Sequence, residues 1–131
     1  MMKVLERDAA ITGVGMSAIG RHVNQPAIEL ALDSITAAVE HAGLSIDDID
    51  GLCTNPAVSE TPGMTPVPLR DIKNGLGLEL NWFASVQEGP STLSSIMTAA
   101  MAVATGQARH VLVHRTAIQY SMIKAAKANP L

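Results

Sequence analysis

The sequence predicts an α/β protein with a mainly parallel sheet and helices on both faces. Short runs rich in β-forming residues alternate with longer segments of helical periodicity, a pattern typical of parallel sheets. These predicted strands lie at about residues 9–15, 51–54, 82–86 and 110–114. The chain has 131 residues and one each of Trp, Phe and Tyr. A core of Ala, Val, Ile, Leu and Met is therefore expected, as in helix-on-sheet packing.

The first predicted strand, 9–15, follows a polar lead-in of residues 1–8 and is almost continuously apolar. Such a run is typical of a strand covered on both faces. Gly13 and Gly15 resemble the start of a dinucleotide-binding fingerprint, but no third glycine follows at the required spacing. We favour the alternative that these glycines let backbone or a ligand approach closely.

A helix is predicted to open at Pro26 and to close at Gly43. Its apolar residues recur every three or four positions: Ile28, Ala31, Leu32, Ile35, Ala38, Val39 and Ala42. This periodicity indicates one buried face. His41, in the last turn, is expected to be solvated, where a cation is favourable. Residues 45–48 have the form of a capping box.

Cys53, in the second predicted strand, is the only cysteine of the chain, which excludes a disulfide framework and a thiolate cluster for zinc. A catalytic thiolate needs a helix N-terminus or a basic partner beside it, and nothing in the sequence places one there. A buried, inert thiol is therefore favoured over a nucleophile. The proline-rich segment 55–68 is predicted to be a functional or contact-making loop, followed by a short helix that stops at Gly75.

The central unit runs from the strand at 82–86 through a sharp turn and a helix to the strand at 110–114. The helix, from Leu93 to Thr105, contains no charged residue and is too short to cross a bilayer. A helix that is apolar all round should be buried all round. Because one sheet covers only one face, a second layer is expected that this chain does not obviously supply.

The turn before this helix is the best candidate site. A helix N-terminus there presents free N–H groups that can stabilise a thioester oxygen or a developing negative charge. Ser91 and Thr92 are weak candidates for a nucleophile, as is Cys53, because a serine or threonine nucleophile needs a general base nearby. Capping of the helix is the favoured role for Ser91 and Thr92.

Two histidines and an arginine accompany the last predicted strand. His110 and His114 lie four residues apart, which on a strand separates them by about 13 Å, too far to share one metal ion. We therefore predict no metal site. Arg115 follows the strand at its carboxyl end, where open α/β sheets bind ligands, and is a candidate for a phosphate or thioester contact.

Charge and the N-terminus exclude other classes of function. The formal net charge is −3 and the charges are scattered, so nucleic-acid binding has no support. Charged residues precede the first apolar run, which is unlike a signal peptide. We expect a soluble, cytoplasmic protein with no membrane insertion.

Several motifs together resemble the thiolase superfamily. They are Ala-Ile-Thr-Gly-Val-Gly-Met-Ser near the N-terminus, Glu-His-Ala-Gly-Leu, Ser-Ile-Asp-Asp-Ile-Asp-Gly-Leu, and Ala-Met-Ala-Val-Ala-Thr-Gly-Gln-Ala-Arg-His-Val-Leu-Val. The chain is most similar to thiolase-like proteins of the sterol-carrier or lipid-transfer type, some of which are retro-aldolases acting on acyl-CoA thioesters. The resemblance covers residues 9–115, a truncated N-terminal domain, and leaves 116–131 as a C-terminal tail.

This resemblance implies a half-fold. Thiolases build their site from two similar halves, and this chain resembles only the first. Their nucleophilic cysteine lies at the turn entering the buried helix, a position that falls on Gly89 here, so Claisen chemistry through a cysteinyl thioester is unsupported. Gly89, Ser91 and Arg115 become candidate substrate-binding residues. The implied strand order is third, second, first, fourth, with the usual fifth strand missing and the strand at 82–86 pairing with its own copy in a dimer.

Three functions remain open on these grounds. The chain is the N-terminal part of an acyl-CoA enzyme, an acyltransferase or a retro-aldolase, that is inactive alone. Alternatively, it is a non-catalytic acyl-CoA or lipid-binding subunit, or a structural interaction module. The expected partners are a coenzyme A thioester as substrate, with no resident cofactor, and a second copy or a complementary C-terminal-half subunit.

Overall fold

The computed structural model of the chain describes residues 5–55, 63, 66–86 and 92–129. This part holds a three-stranded parallel sheet and four α-helices, which confirms the predicted α/β class. The helices are α1 (Ala27–His41), α2 (Leu69–Leu76), α3 (Thr92–Ala104) and α4 (Gln119–Ala128). The strands are β1 (Gly51–Thr54), β2 (Trp82–Ser85) and β3 (Val111–His114), and short 3₁₀ helices lie at Leu5–Asp8 and Ile46–Asp48.

The sheet separates two helical layers. β1 is central and pairs in parallel with β2 on one side and β3 on the other. Leu52 and Leu112 belong to the main core together with residues of α1 and α2. The next residue of β1, Cys53, points the opposite way and contacts Ser95 of α3. Helices therefore cover both faces, as predicted, with α1 and α2 on one side and α3 on the other.

Asp50 ties together the amino ends of the three strands. Its carboxylate accepts hydrogen bonds from the backbone N–H groups of Arg109 and His110, each 2.9 Å from Oδ1, and from the side-chain amide of Asn81 at 3.2 Å. Partial burial raises the pKa of this carboxyl group. The hydrogen bonds from His110, Arg109 and Asn81 together lower the pKa by more than burial raises it, so it lies below the usual value. The ionised carboxylate is thus the form that holds this edge.

The prediction of a first strand at residues 9–15 is wrong. This stretch makes no ladder with the described sheet, and β1 pairs directly with β3, so the expected strand order is wrong as well. The stretch lies instead on α1. A Cβ atom added at Gly13 would stand 2.3 Å from the Ala38 carbonyl oxygen, and one at Gly15 would stand 2.3 Å from the Ser34 carbonyl oxygen. The two glycines therefore serve close backbone approach to a helix, the favoured of the two interpretations.

Local signals set most helix ends as expected. Pro26 occupies the N-cap of α1, and Gly43 follows the helix in the left-handed conformation, with φ of 70°. Asp48 accepts hydrogen bonds from the backbone N–H and hydroxyl of Ser45, as the capping-box pattern predicted. The predicted stop of α2 at Gly75 is wrong by two residues, because Gly77 is the glycine with a positive φ.

His41 differs from its prediction. It lies on the surface at the last residue of α1, but its ring is not simply solvated. Its Nδ1 atom accepts a hydrogen bond from the backbone N–H of Val14 at 3.0 Å. This hydrogen bond joins residues 27 positions apart in the chain and holds the N-terminal stretch on α1.

The uncharged helix α3 has one buried and one exposed face. Its buried residues are Ser95, Ala99 and Ala102. Leu93, Met97 and Met101, spaced four residues apart, keep 56–65% of their surface exposed. This second face stays exposed in the described part of the chain, as the sequence predicted, although the 3₁₀ helix Leu5–Asp8 also contacts α3. None of the described helices is long and apolar enough to span a membrane.

Candidate functional site

The predicted site belongs at the carboxyl edge of the sheet, and of its residues the structure describes Cys53, Thr92 and Arg115. Ser85, Thr54 and His114 are register partners in the last row of the three strands. Arg115 follows β3 directly, and α3 begins at Thr92 on the opposite face from α1. Because parallel strands end together, this edge collects the loops that bind ligands in open α/β sheets.

Cys53 is placed for packing and not for nucleophilic attack. Its side chain is fully buried between the sheet and α3. Burial raises the pKa of the thiol above its usual value, and a hydrogen bond with Ser95 offsets this only in part. The thiolate that nucleophilic catalysis requires is therefore disfavoured. The structure supports the inert reading of this residue.

His114 is also buried, on the face covered by α1 and α2. Only 6% of its surface is exposed, and neither ring nitrogen has a hydrogen-bond partner among the described residues. Burial lowers its pKa from 6.5 to about 4, because the charged imidazolium would lose its hydration. The Thr54 hydroxyl donates to the backbone carbonyl of His114 at 3.3 Å and links the ends of β1 and β3. His114 is thus a neutral, structural residue near pH 7.

The structure describes only some of the residues predicted to contact the substrate. Arg115 is exposed at the carboxyl edge, and Thr92 is half-buried as the first residue of α3. Gly89 and Ser91 lie outside the described residues, so their predicted roles stay predictions. Among the described residues, no group of three His, Cys, Asp or Glu side chains is arranged to hold a metal ion.

Sequence reasoning missed two polar contacts of this region. No role was predicted for Ser95 of the uncharged helix α3, which is fully buried and bonded to Cys53. Thr54 ends an apolar strand and joins two strand ends through its hydroxyl. Each of these residues is polar and lies in an apolar segment that is expected to be buried. Because a buried hydroxyl needs a hydrogen-bond partner, the sequence could have predicted that both residues make such a bond.

Two curated proteins are similar to the chain over most of its length. A steroid side-chain-cleaving aldolase of Thermomonospora curvata is 34% identical over 116 residues, which cover 87% of this chain and 28% of that protein. The 17-hydroxy-3-oxo-4-pregnene-20-carboxyl-CoA lyase of Mycobacterium tuberculosis is 32% identical over 113 residues, which cover 86% of this chain and 28% of the lyase. No protein-family model matches the chain.

Solved structures show the same architecture. The Ltp2-ChsH2(DUF35) aldolase superposes with a TM-score of 0.67 at 31% sequence identity, over 79% of this chain and 26% of the solved chain. An acetyl-CoA acetyltransferase from Syntrophomonas wolfei superposes with a TM-score of 0.61 at 24% identity, over 79% of this chain and 27% of the solved chain, and supports the fold alone. The chain is therefore similar in sequence to an aldolase and a lyase, and it shares its fold with an acetyl-CoA acetyltransferase. It spans little more than a quarter of the length of these proteins.

Proposed function

We propose that the chain is the N-terminal part of a thiolase-like enzyme that acts on acyl-CoA thioesters, with retro-aldol cleavage as its reaction. The observation that carries this proposal is the 34% identity to a steroid side-chain-cleaving aldolase over 87% of the chain. The second relative carries a CoA lyase name, which points to the same class. Both relatives favour C–C cleavage over acyl transfer.

The chemistry of the cysteine supports this choice. Acyl transfer in thiolases needs a reactive cysteine, but the only cysteine of this chain is buried and bonded to Ser95. A retro-aldol reaction needs no covalent nucleophile. A base takes the proton of the hydroxyl group on the carbon β to the thioester carbonyl. The hydroxyl oxygen forms a C=O bond as the bond between the α and β carbons breaks, and the electron pair of the broken bond is delocalised onto the thioester carbonyl as an enolate. A proton then adds to the α carbon.

In this proposal the carboxyl edge binds the thioester. Free N–H groups at the start of α3, with Gly89 and Ser91, stabilise the enolate oxygen, because a helix N-terminus favours negative charge. Arg115 contacts a phosphate of coenzyme A. No cofactor beyond the thioester substrate is required.

The base for the hydroxyl proton comes from elsewhere in the assembly. Within the described residues, Cys53 and His114 are both buried and neither is available for it. We therefore infer that the chain is inactive alone and works with a second copy or a complementary C-terminal-half subunit, in the cytoplasm.

A chimaera tests the proposal. This chain replaces the matching segment of the Thermomonospora curvata aldolase, and the CoA thioester of 17-hydroxy-3-oxo-4-pregnene-20-carboxylic acid serves as substrate. We expect the chimaera to cleave the thioester and the isolated chain to leave it intact. Arg115→Ala should raise KM several-fold, whereas Arg109→Ala, at the opposite edge of the sheet, should not. A folded chimaera that neither binds nor cleaves the thioester would contradict the proposal.

A non-catalytic acyl-CoA-binding subunit is the second candidate. The burial of both Cys53 and His114 favours it, because no described side chain of these reactive types reaches the carboxyl edge in an accessible form. Calorimetric titration of the isolated chain with acetyl-CoA distinguishes the candidates. Binding by the isolated chain together with an inactive chimaera would favour the binding subunit. The absence of both would leave a structural interaction module.

A further inference from the structure

The N-terminal segment, residues 9–19, is held on α1 by few interactions. Its backbone contacts the helix at Gly13 and Gly15, and the Val14 N–H donates to His41 Nδ1 at 3.0 Å. The large apolar side chains of the segment keep 66–80% of their surface exposed: Ile11, Val14, Met16 and Ile19. Because these side chains bury so little area, the hydrogen bond to His41 has a large share in fixing the segment among the described residues.

This hydrogen bond requires a neutral imidazole. Nδ1 accepts a hydrogen bond only when it carries a lone pair, with the ring proton on Nε2. In the imidazolium form both ring nitrogens are donors, and Nδ1–H would face the donor N–H of Val14. His41 is also the last residue of α1, where a positive charge interacts favourably with the carbonyl end of the helix. The bond to Val14 and the charge on His41 are thus mutually exclusive.

We propose that His41 is an acid-released anchor of the N-terminal segment. The neutral ring holds Val14 on α1, and protonation of Nδ1 breaks that bond and frees residues 9–16 from the helix. This device is independent of the proposed acyl-CoA function.

The charged residues next to His41 along the chain are Glu40 on α1 itself and Asp47 and Asp48 in the turn that follows the helix. Residues 9–19 contain no charged side chain. Among the described residues, none of these three carboxylates forms an ion pair with His41.

Beyond residue 19 the chain is anchored differently. The Arg21 guanidinium lies 5.8 Å from the centre of the Tyr120 ring, and the His22 ring meets the same tyrosine edge to face at 6.5 Å. A cation above an aromatic face remains attracted at acid pH. Release should thus stay local to residues 9–16 and leave Arg21 and His22 on α4.

Amide hydrogen exchange followed by NMR tests the proposal on the intact chain. The protection factor of the Val14 amide, corrected for intrinsic exchange, is measured from pH 8 to pH 5, and the His41 ring signals are titrated in parallel. We expect protection to be constant while the ring signals report neutral His41 and to fall as they report the imidazolium. The Val39 amide in α1 is the internal reference and should show no such slope.

Two variants complete the test. His41→Gln keeps an acceptor but cannot be protonated, so Val14 protection should lose its pH dependence. His22→Gln is the matched control and should keep the slope. A Val14 protection factor that stays flat through the titration of His41, or a slope that survives in His41→Gln, would overturn the proposal. If the variant does not fold, the parallel titrations of Val14 and His41 in the parent chain still decide.

Discussion

His114, at the end of the sheet, has two buried ring nitrogens that make no hydrogen bond in the part of the chain that the structure describes. A buried polar group without a hydrogen bond is costly, and a buried charge costs more. The folded chain therefore keeps this imidazole neutral, with a pKa lowered to about 4. In the unfolded chain the imidazole is hydrated and can take up a proton. Lowering the pH therefore favours the unfolded state over the folded state.

We predict that His114 makes the fold acid-sensitive. Between pH 6.5 and pH 4 the unfolded state binds a proton at this residue and the folded state does not, so stability falls as the pH falls through that window. The full loss amounts to about 3 kcal/mol. Urea unfolding of His114→Leu at pH 7 and pH 5 should show a weaker pH dependence than the parent, with equal or greater stability at pH 7. His110→Gln should retain the parent's dependence; equal pH dependence in the parent and His114→Leu would refute this assignment.

Helix α3 has two faces with opposite tolerance for charge. Ala102 is 2% exposed and packs towards the sheet, while Met97 is 65% exposed on the opposite side. The same substitution at these two positions therefore separates burial from helix propensity. An unpaired carboxylate costs several kcal/mol when buried and little at the surface.

Ala102→Asp should unfold or aggregate the chain, because its cost is comparable to a total stability of about 5–15 kcal/mol. Met97→Asp should change the free energy of unfolding by less than about 1 kcal/mol. Circular dichroism during thermal unfolding measures both. Equal melting temperatures for the two variants would show that α3 does not pack as described.

The outer strand β2 has one free edge among the described residues. The N–H groups of Trp82 and Val86 bond to β1 carbonyls, at Asp50 and Thr54. In a parallel strand these directions alternate, so the N–H of Ala84 also faces β1 and that of Phe83 faces outwards. An exposed edge with unpaired groups promotes association. Together with the exposed face of α3, this edge predicts that the chain is not a monomer.

We expect Phe83→Pro to weaken self-association by removing an outward donor, with Phe83→Ala as the control for the lost side chain. Ala84→Pro should instead weaken the fold, because it removes a donor to β1. Light scattering across micromolar concentrations gives the mass of each variant. A parent chain that is monomeric throughout would dispose of the association, whatever the variants do.

The sequence predicts the elements well and their pairing less well. Pro26, Gly43 and Gly106 set helix ends through local backbone preferences, which are readable from the residues themselves. Whether an apolar run forms a strand depends on pairing with another strand that is distant in the sequence. Residues 9–15 pack against α1 instead of pairing with a strand. In the candidate site, the burial of Cys53 was predictable from its apolar strand. The bond between Cys53 and Ser95 and the unpartnered ring of His114 depend on tertiary packing.

The central position of β1 also affects the time course of folding. Gly51 pairs with Trp82 on one side and with Val111 on the other, and both pairings are parallel. The sheet therefore contains no hairpin, in which two strands are joined by a short turn. Every ladder must close a long loop first, which slows folding. During synthesis β1 emerges before either partner strand and leaves its apolar residues exposed until Val111–His114 is complete. The nascent chain therefore keeps apolar strand surface unpaired for longer than a helical bundle of the same length would.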